Sequence, residues 1–136
     1  MFRTLIVEDS TFFRRLLKET LLSRFPKMDI FEAGNGEEAL QKIKTIPPDL
    51  IFMDIKLPGE SGLEITKKIK ADYPNIPIII LTSYDLPEYR EAAQQYQANH
   101  FLSKGTTTKE NILETVKSIL TKRNIYLNGH DPREPY

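Results

Sequence analysis

The chain has 136 residues, enough for one domain with one real core and too short for an eight-fold βα barrel, which needs roughly 200. Its 19 lysines and arginines balance its 19 aspartates and glutamates, which argues against a generic nucleic-acid binder. There is no cysteine, so a disulfide scaffold, a cysteine nucleophile and a cysteine zinc site are excluded. Leu5-Ile6-Val7 predicts a first strand. It follows Met1-Phe2-Arg3-Thr4 with no charged leader or cleavage site, so no secretory signal is read and a cytoplasmic chain is expected. From Ser10 to Phe25 the residues Phe12, Phe13, Leu16, Leu17 and Leu21 recur at helical spacing, and Pro26 stops that helix. Met28 to Ala33 predicts a second strand, and Asn35 caps a second helix with Glu37 and Glu38 in its first turn.

Pro47-Pro48 forces an extended entry into Asp49 to Met53. Leu50-Ile51-Phe52-Met53 is apolar at consecutive positions, as in a parallel strand covered on both faces. Leu57-Pro58-Gly59 marks a turn, and Leu63 to Ala71 predicts a third helix. Ile76 to Leu81 is the most apolar strand, with Pro77 tolerated near its start. Tyr89, Ala92, Ala93 and Tyr96 share a face of a fourth helix, packed on the sheet. Phe101-Leu102 is a short fifth strand, and the last helix runs from Thr108 to Lys122. Five βα units in regular alternation predict an α/β fold, a parallel sheet with helices on both faces. Residues 1–123 form the domain, and the polar stretch 124–136 reads as a tail or linker stub. No apolar run reaches the roughly 18 residues of a membrane span, so no membrane partner is expected.

Open α/β sheets bind ligands beyond the carboxyl ends of their strands. There the predicted strands place Glu8-Asp9, Asp54, Thr82-Ser83 and Lys104. A dinucleotide or flavin site needs glycines or hydroxyls after the first strand, and Glu8-Asp9 would repel a phosphate. Gly34-x-Gly36 follows the wrong strand and lacks a third glycine. Clustered carboxylates are costly without a cation: at 4 Å and an effective dielectric of 20, each like-charge contact costs about 4 kcal/mol. A hard divalent ion such as Mg2+ relieves this and commonly completes its octahedron with a phosphate. Lys104 and Thr82 suit an incoming phosphoryl group as ammonium and hydroxyl partners. The chemistry this suggests is attack of an aspartate carboxylate on phosphorus.

The set Glu8-Asp9, Met53-Asp54, Leu57-Pro58-Gly59, Gly62, Thr82-Ser83 and Lys104 resembles the receiver domains of bacterial two-component response regulators of the CheY type. The resemblance spans residues 2–122 and implies a flavodoxin-like three-layer sandwich, a five-stranded parallel sheet of order 2-1-3-4-5 with five helices. It implies that Asp54 accepts a phosphoryl group from a sensor histidine kinase or phosphotransfer protein. It implies Mg2+ on Asp9, Asp54 and the backbone carbonyl of Lys56, with Glu8 reaching the ion mainly through water. Lys104 would pair with Asp54 at rest and with the phosphoryl group afterwards. Thr82 would move toward the phosphoryl oxygens and Phe101 would turn inward behind it. The face of helix 4, strand 5 and helix 5 would then switch, and such domains dimerise or meet targets there. Lys56 and Tyr84, two positions beyond Asp54 and Thr82, are where such domains tune the phosphoryl lifetime.

Two departures from the family pattern carry expectations. Gly105 follows Lys104 where proline is common, which predicts a looser lysine. Gln97-Ala98 stands where Gly-Ala is common, which predicts a different close of helix 4. Ser-Lys-Gly is nearer to receivers that precede a LuxR-type helix-turn-helix, so the N-terminal part of a longer transcriptional regulator is an alternative. By itself the chain is expected to bind no nucleic acid. A phosphorylation-independent interaction module is the second alternative, and a turnover phosphohydrolase, lacking a second acid near Asp54, a third. Lys67, Lys68 and Lys70 are read as a solvated face, and His100 as an exposed loop residue; neither His100 nor His130 is a site candidate.

Overall fold

The computed structural model describes residues 2–122, so the predicted tail and His130 lie outside the described residues. Strands and helices alternate strictly: β1 (Arg3–Val7), α1 (Thr11–Arg24), β2 (Asp29–Ala33), α2 (Gly36–Thr45), β3 (Leu50–Met53), α3 (Gly62–Asp72), β4 (Ile78–Thr82), α4 (Pro87–Gln95), β5 (His100–Ser103) and α5 (Lys109–Lys122). All neighbouring strands pair in parallel, in the order β2-β1-β3-β4-β5. The sheet reverses direction of growth between β1 and β3, so a crevice opens beyond their carboxyl ends.

Strand side chains alternate between two cores. Ile6, Phe52, Ile79 and Leu81 pack with Leu17 and Leu21 of α1 and Val116 and Leu120 of α5. Leu5, Val7, Ile51, Met53 and Ile80 pack with Ala39 and Ile43 of α2, Ile65 and Ile69 of α3, and Ala93 of α4. This explains the unbroken apolar run in β3, whose four residues are all buried. Burying one such side chain is worth about 1.5–3 kcal/mol. β4 starts two residues later than expected. Pro77 has no N–H for the ladder, and its carbonyl instead accepts from Ile51 N at 3.0 Å.

Asn35 caps α2 as expected, and Ser10, the first residue of the expected first helix, caps α1. Ser10 Oγ accepts from Phe13 N at 3.2 Å and Asn35 Oδ1 from Glu38 N at 2.8 Å. Other expectations are corrected. Phe12 is 75% exposed, because the buried stripe of α1 runs through Leu17, Thr20 and Leu21 and leaves Phe12 off the core. Lys67 and Lys68 are exposed, but Lys70 is buried. Its ammonium donates to Asn99 Oδ1 at 2.9 Å, and the same oxygen accepts from Ile78 N. His100 begins β5 and is half-buried; burial and the nearby Lys122 hold its imidazole below the ordinary 6.5. Tyr89 and Tyr96 pack against the α2–α4 core as expected.

The end of α4 also departs from expectation. Ala98 N donates to Ala93 O at 2.9 Å and Gln97 N to Gln94 O at 3.0 Å, the paired bonds of a Schellman close. Gln97 adopts φ +68° to make them. The helix therefore closes in the geometry glycine favours, and the glutamine bears the strain. Gln97→Gly is expected to raise stability by up to about 1 kcal/mol in urea unfolding. Equal or lower stability would contradict this strain.

Candidate functional site

The strand ends deliver the charged residues to one place. Asp54 N continues the ladder beyond β3 by donating to Val7 O at 3.0 Å, and Glu8 N does the same on Ala33 O. Carboxylate oxygens of Glu8, Asp9 and Asp54 all lie within 4.8 Å of one another. Glu8 and Asp54 are buried and Asp9 is exposed. Lys104 Nζ enters from the loop after β5, paired with Glu8 Oε1 and 3.2 Å from Asp54 Oδ2. Its side chain is only 15% exposed. The expected looseness of Lys104 is thus overturned: two carboxylates hold its ammonium, and its N–H donates to Thr82 O at 2.8 Å. No peptide among the described residues is cis.

Backbone groups fix the acids. Glu8 Oε2 accepts from Ser10 N at 2.9 Å, and Asp54 Oδ1 from Ile55 N at 2.8 Å. Arg14 donates to the Glu8 carbonyl at 2.7 Å and pairs with Glu32 at 3.4 Å, tying the β1–α1 loop to β2. Gly62 N donates to Ile55 O at 2.9 Å. A Cβ at Gly62 would lie 2.8 Å from the Asp54 carbonyl carbon, so a larger residue would displace the backbone that presents Asp54.

The other predicted residues sit around this cluster. Thr82 ends β4, fully buried, and its hydroxyl accepts from Tyr84 N at 3.2 Å. Lys56 is exposed on the loop after β3, its ammonium 5.2 Å from the Tyr84 ring centroid and 5.8 Å from that of Tyr89. Phe101 is half-buried on β5, paired in register with Ile80 and capped by the Arg90 guanidinium 4.6 Å from its centroid. Arg90 also pairs with Asp85, at 3.0 Å through Nη2. Three residues carried no site signal in the sequence: Phe13, Arg14 and Tyr89. Each reads as helix face or core, and only the fold brings it to the acids or to Lys56.

Burial pushes the Glu8 carboxyl up from the ordinary 4.5, opposed by its bonds to Lys104 and Ser10 and reinforced by the nearby Asp54 charge. When all three acids are ionised, three negative charges face one ammonium. The pocket then has two uncompensated charges, which match a hard dication with oxygen ligands.

A sequence model of the response regulator receiver domain matches residues 4–117. The chain belongs to the response regulator receiver family. The receiver is 35% identical over 119 residues to the chemotaxis protein CheY of Halobacterium salinarum, an alignment covering 88% of this chain and 97% of that protein. It is 35% identical over 105 residues to a protein-glutamate methylesterase/protein-glutamine glutaminase of Geobacillus kaustophilus, covering 75% of this chain. The chain spans about a third of that relative's length, 30%. Among solved structures, the response regulator TrrA of Thermotoga maritima, in complex with Mg2+ and BeF, superposes with a TM-score of 0.78 at 37% identity. That match covers 88% of this chain and 100% of TrrA. The expected receiver fold, with its 2-1-3-4-5 sheet, is thus observed. Within the described residues no helix is long and apolar enough to cross a membrane.

The raised Glu8 pKa fixes the sign of a pH effect. The folded receiver binds this proton more tightly than the unfolded chain does. Its stabilising share is therefore fully present below 4.5 and is lost as pH rises from 4.5 through the raised folded value. In metal-free buffer, thermal melts of Glu8→Gln are expected to lack this component of the decline shown by wild type. Identical pH profiles would contradict the assignment.

Proposed function

We propose that Asp54 is the phosphoacceptor of a signalling switch, supplied by a sensor histidine kinase or phosphotransfer protein and dependent on Mg2+. The observation that carries it is the gathering of Glu8, Asp9, Asp54 and Lys104 in one pocket at the sheet's switch point. The unit that does this is residues 1–123, acting in the cytoplasm.

An Asp54 oxygen attacks phosphorus along the line of the departing P–N bond. The electron pair of that bond leaves with the donor imidazole, and an acyl phosphate forms on Asp54. Asp9, Asp54 and the Lys56 carbonyl would hold the ion directly, with Glu8 acting mainly through water. When bound, Mg2+ supplies charge neutralisation to the transferring phosphoryl oxygens. Lys104 moves its charge from Glu8 and Asp54 to a phosphoryl oxygen. Thr82, whose hydroxyl now accepts from Tyr84 N, turns its O–H to another.

Phosphorylation adds about −1.5 to −2 charges at neutral pH. Near Thr82 and Lys104 that charge biases the face built from α4, β5 and α5 and shifts its population. Phe101 is the reporter of that shift: it leaves the Arg90 cap and turns inward. The switched face meets a target or a second copy of the receiver. The role is that of a phosphoacceptor with at most slow self-dephosphorylation, since among the described residues the acids clustered with Asp54 are Glu8 and Asp9, which this reading assigns to Lys104 and the ion rather than to activating water.

Incubation with acetyl phosphate and MgCl2 tests the first claim. Intact-mass spectrometry is expected to show one added phosphoryl group on wild type, none without Mg2+ and none on Asp54→Asn. Full labelling of Asp54→Asn would remove Asp54 from this role. Lys56, two residues beyond Asp54, carries its ammonium over the Tyr84 and Tyr89 rings. Lys56→Ala and Tyr84→Ala are each expected to admit water and shorten the phosphoryl half-life several-fold, followed as loss of the added mass after donor removal. Unchanged half-lives in both would show that the stack does not shield the site.

A further inference from the structure

We propose that Phe13 is a positioning residue for Lys104, its ring forming the fixed third side of the seat that aims the ammonium at Asp54. This rests on the reading that Lys104 engages the phosphoryl group on Asp54. Lys104 Nζ lies 4.0 Å from the Phe13 ring centroid while it bonds Glu8 and Asp54. The ring face attracts a cation through its quadrupole, most strongly where water is excluded, and this lysine side chain is 15% exposed.

Two features of the chain create the need for such a seat. Lysine carries its charge on a flexible four-carbon stem, and here Gly105, the most permissive residue, follows it. The two carboxylate partners are also the wrong groups to fix it alone. They are the ones that exchange partners when a dication and a phosphoryl group arrive. The Phe13 ring has no such second duty and can hold the ammonium before and after transfer.

Phe13 is well tied to the acids. It stands in the first turn of α1, and its N–H donates to Ser10 Oγ. Ser10 in turn donates its own N–H to Glu8 Oε2, and Arg14, the next residue, holds the Glu8 carbonyl. Ring and Glu8 are thus carried by one short segment. Phe13 and Lys104 themselves line a hollow of about 200 Å³ between α1 and α5, together with Leu17, Thr20, Leu81 and Ile112 among others. It leaves room for the extra hydroxyl of tyrosine, so Phe13→Tyr can keep the aromatic face. Leu17 lines the same hollow but has no aromatic face to offer an ammonium, so Leu17→Ala reproduces a packing loss alone.

Two measurements test the proposal, with Lys104→Arg used to assign the lysine signal. In wild type without phosphodonor, the Lys104 ε-methylene protons are expected at high field from the Phe13 ring current. The shift should persist in Phe13→Tyr and Leu17→Ala and vanish in Phe13→Leu. With acetyl phosphate at saturating MgCl2, Phe13→Leu is expected to label roughly three- to ten-fold more slowly than wild type. Phe13→Tyr and Leu17→Ala should stay within about two-fold of wild type, by the same arithmetic. Absence of the ring-current shift in wild type, or equal rates for Phe13→Leu and wild type, would overturn the positioning role. So would equal slowing of Leu17→Ala and Phe13→Leu. Failure of wild type itself to label would instead overturn the phosphoacceptor reading, and the role of Phe13 with it, while a retained shift would still establish the contact.

Discussion

The ammonium of Lys104 between Glu8 and Asp54 is the interaction on which this receiver depends. Two buried acids and an exposed third within 4.8 Å repel one another, and a folded chain tolerates this only with positive charge in the gap. One ammonium compensates one of the three. The remainder is a standing demand for a dication, so the pocket's instability and its proposed chemistry have one electrostatic origin. The pKa of Glu8, raised by burial against the pull of Lys104 and Ser10, is a local sign of the same conflict.

The sheet makes the conflict structural. Glu8 and Asp54 cannot move apart, because the backbone of each extends a strand ladder whose side chains fill both cores. Gly62 lets the β3–α3 loop close against the Asp54 carbonyl, and Arg14 pins the Glu8 carbonyl from α1. Lys104 approaches from the far side of β4, anchored through Thr82 O. Electrostatic strain at a rigid rim is what a switch requires, since a change of charge there must be answered by movement elsewhere.

The parts of this arrangement that were legible in the sequence are those set by strand periodicity and strand ends. The β3 run ends directly in Asp54, β1 in Glu8-Asp9, and the order of elements dictates that they meet. What escaped reading depends on contacts between distant segments. Phe13 reads as one more apolar residue on a helix stripe, and only the β5–α5 loop arriving above it gives its ring a cation. Lys70 reads as a solvated lysine until Asn99, from the loop before β5, supplies an oxygen at the opposite end of the sheet. Phe12 satisfies helical spacing as well as Phe13 does, yet it lies off the buried stripe and stays exposed. Gln97 shows the converse: its sequence departs from the glycine pattern, but the six-residue Schellman bond wins and imposes the left-handed backbone regardless.

The proposed switch requires that one pocket gather acids to hold a dication and free Lys104 to meet a phosphoryl group. Anomalous diffraction from crystals grown with Mn2+ and beryllofluoride tests it most directly. A single manganese peak is expected against Asp9 and Asp54, with the Lys104 ammonium withdrawn from Glu8 onto a fluorine. Manganese bound elsewhere, or Lys104 still seated on Glu8 with beryllofluoride on Asp54, would contradict it.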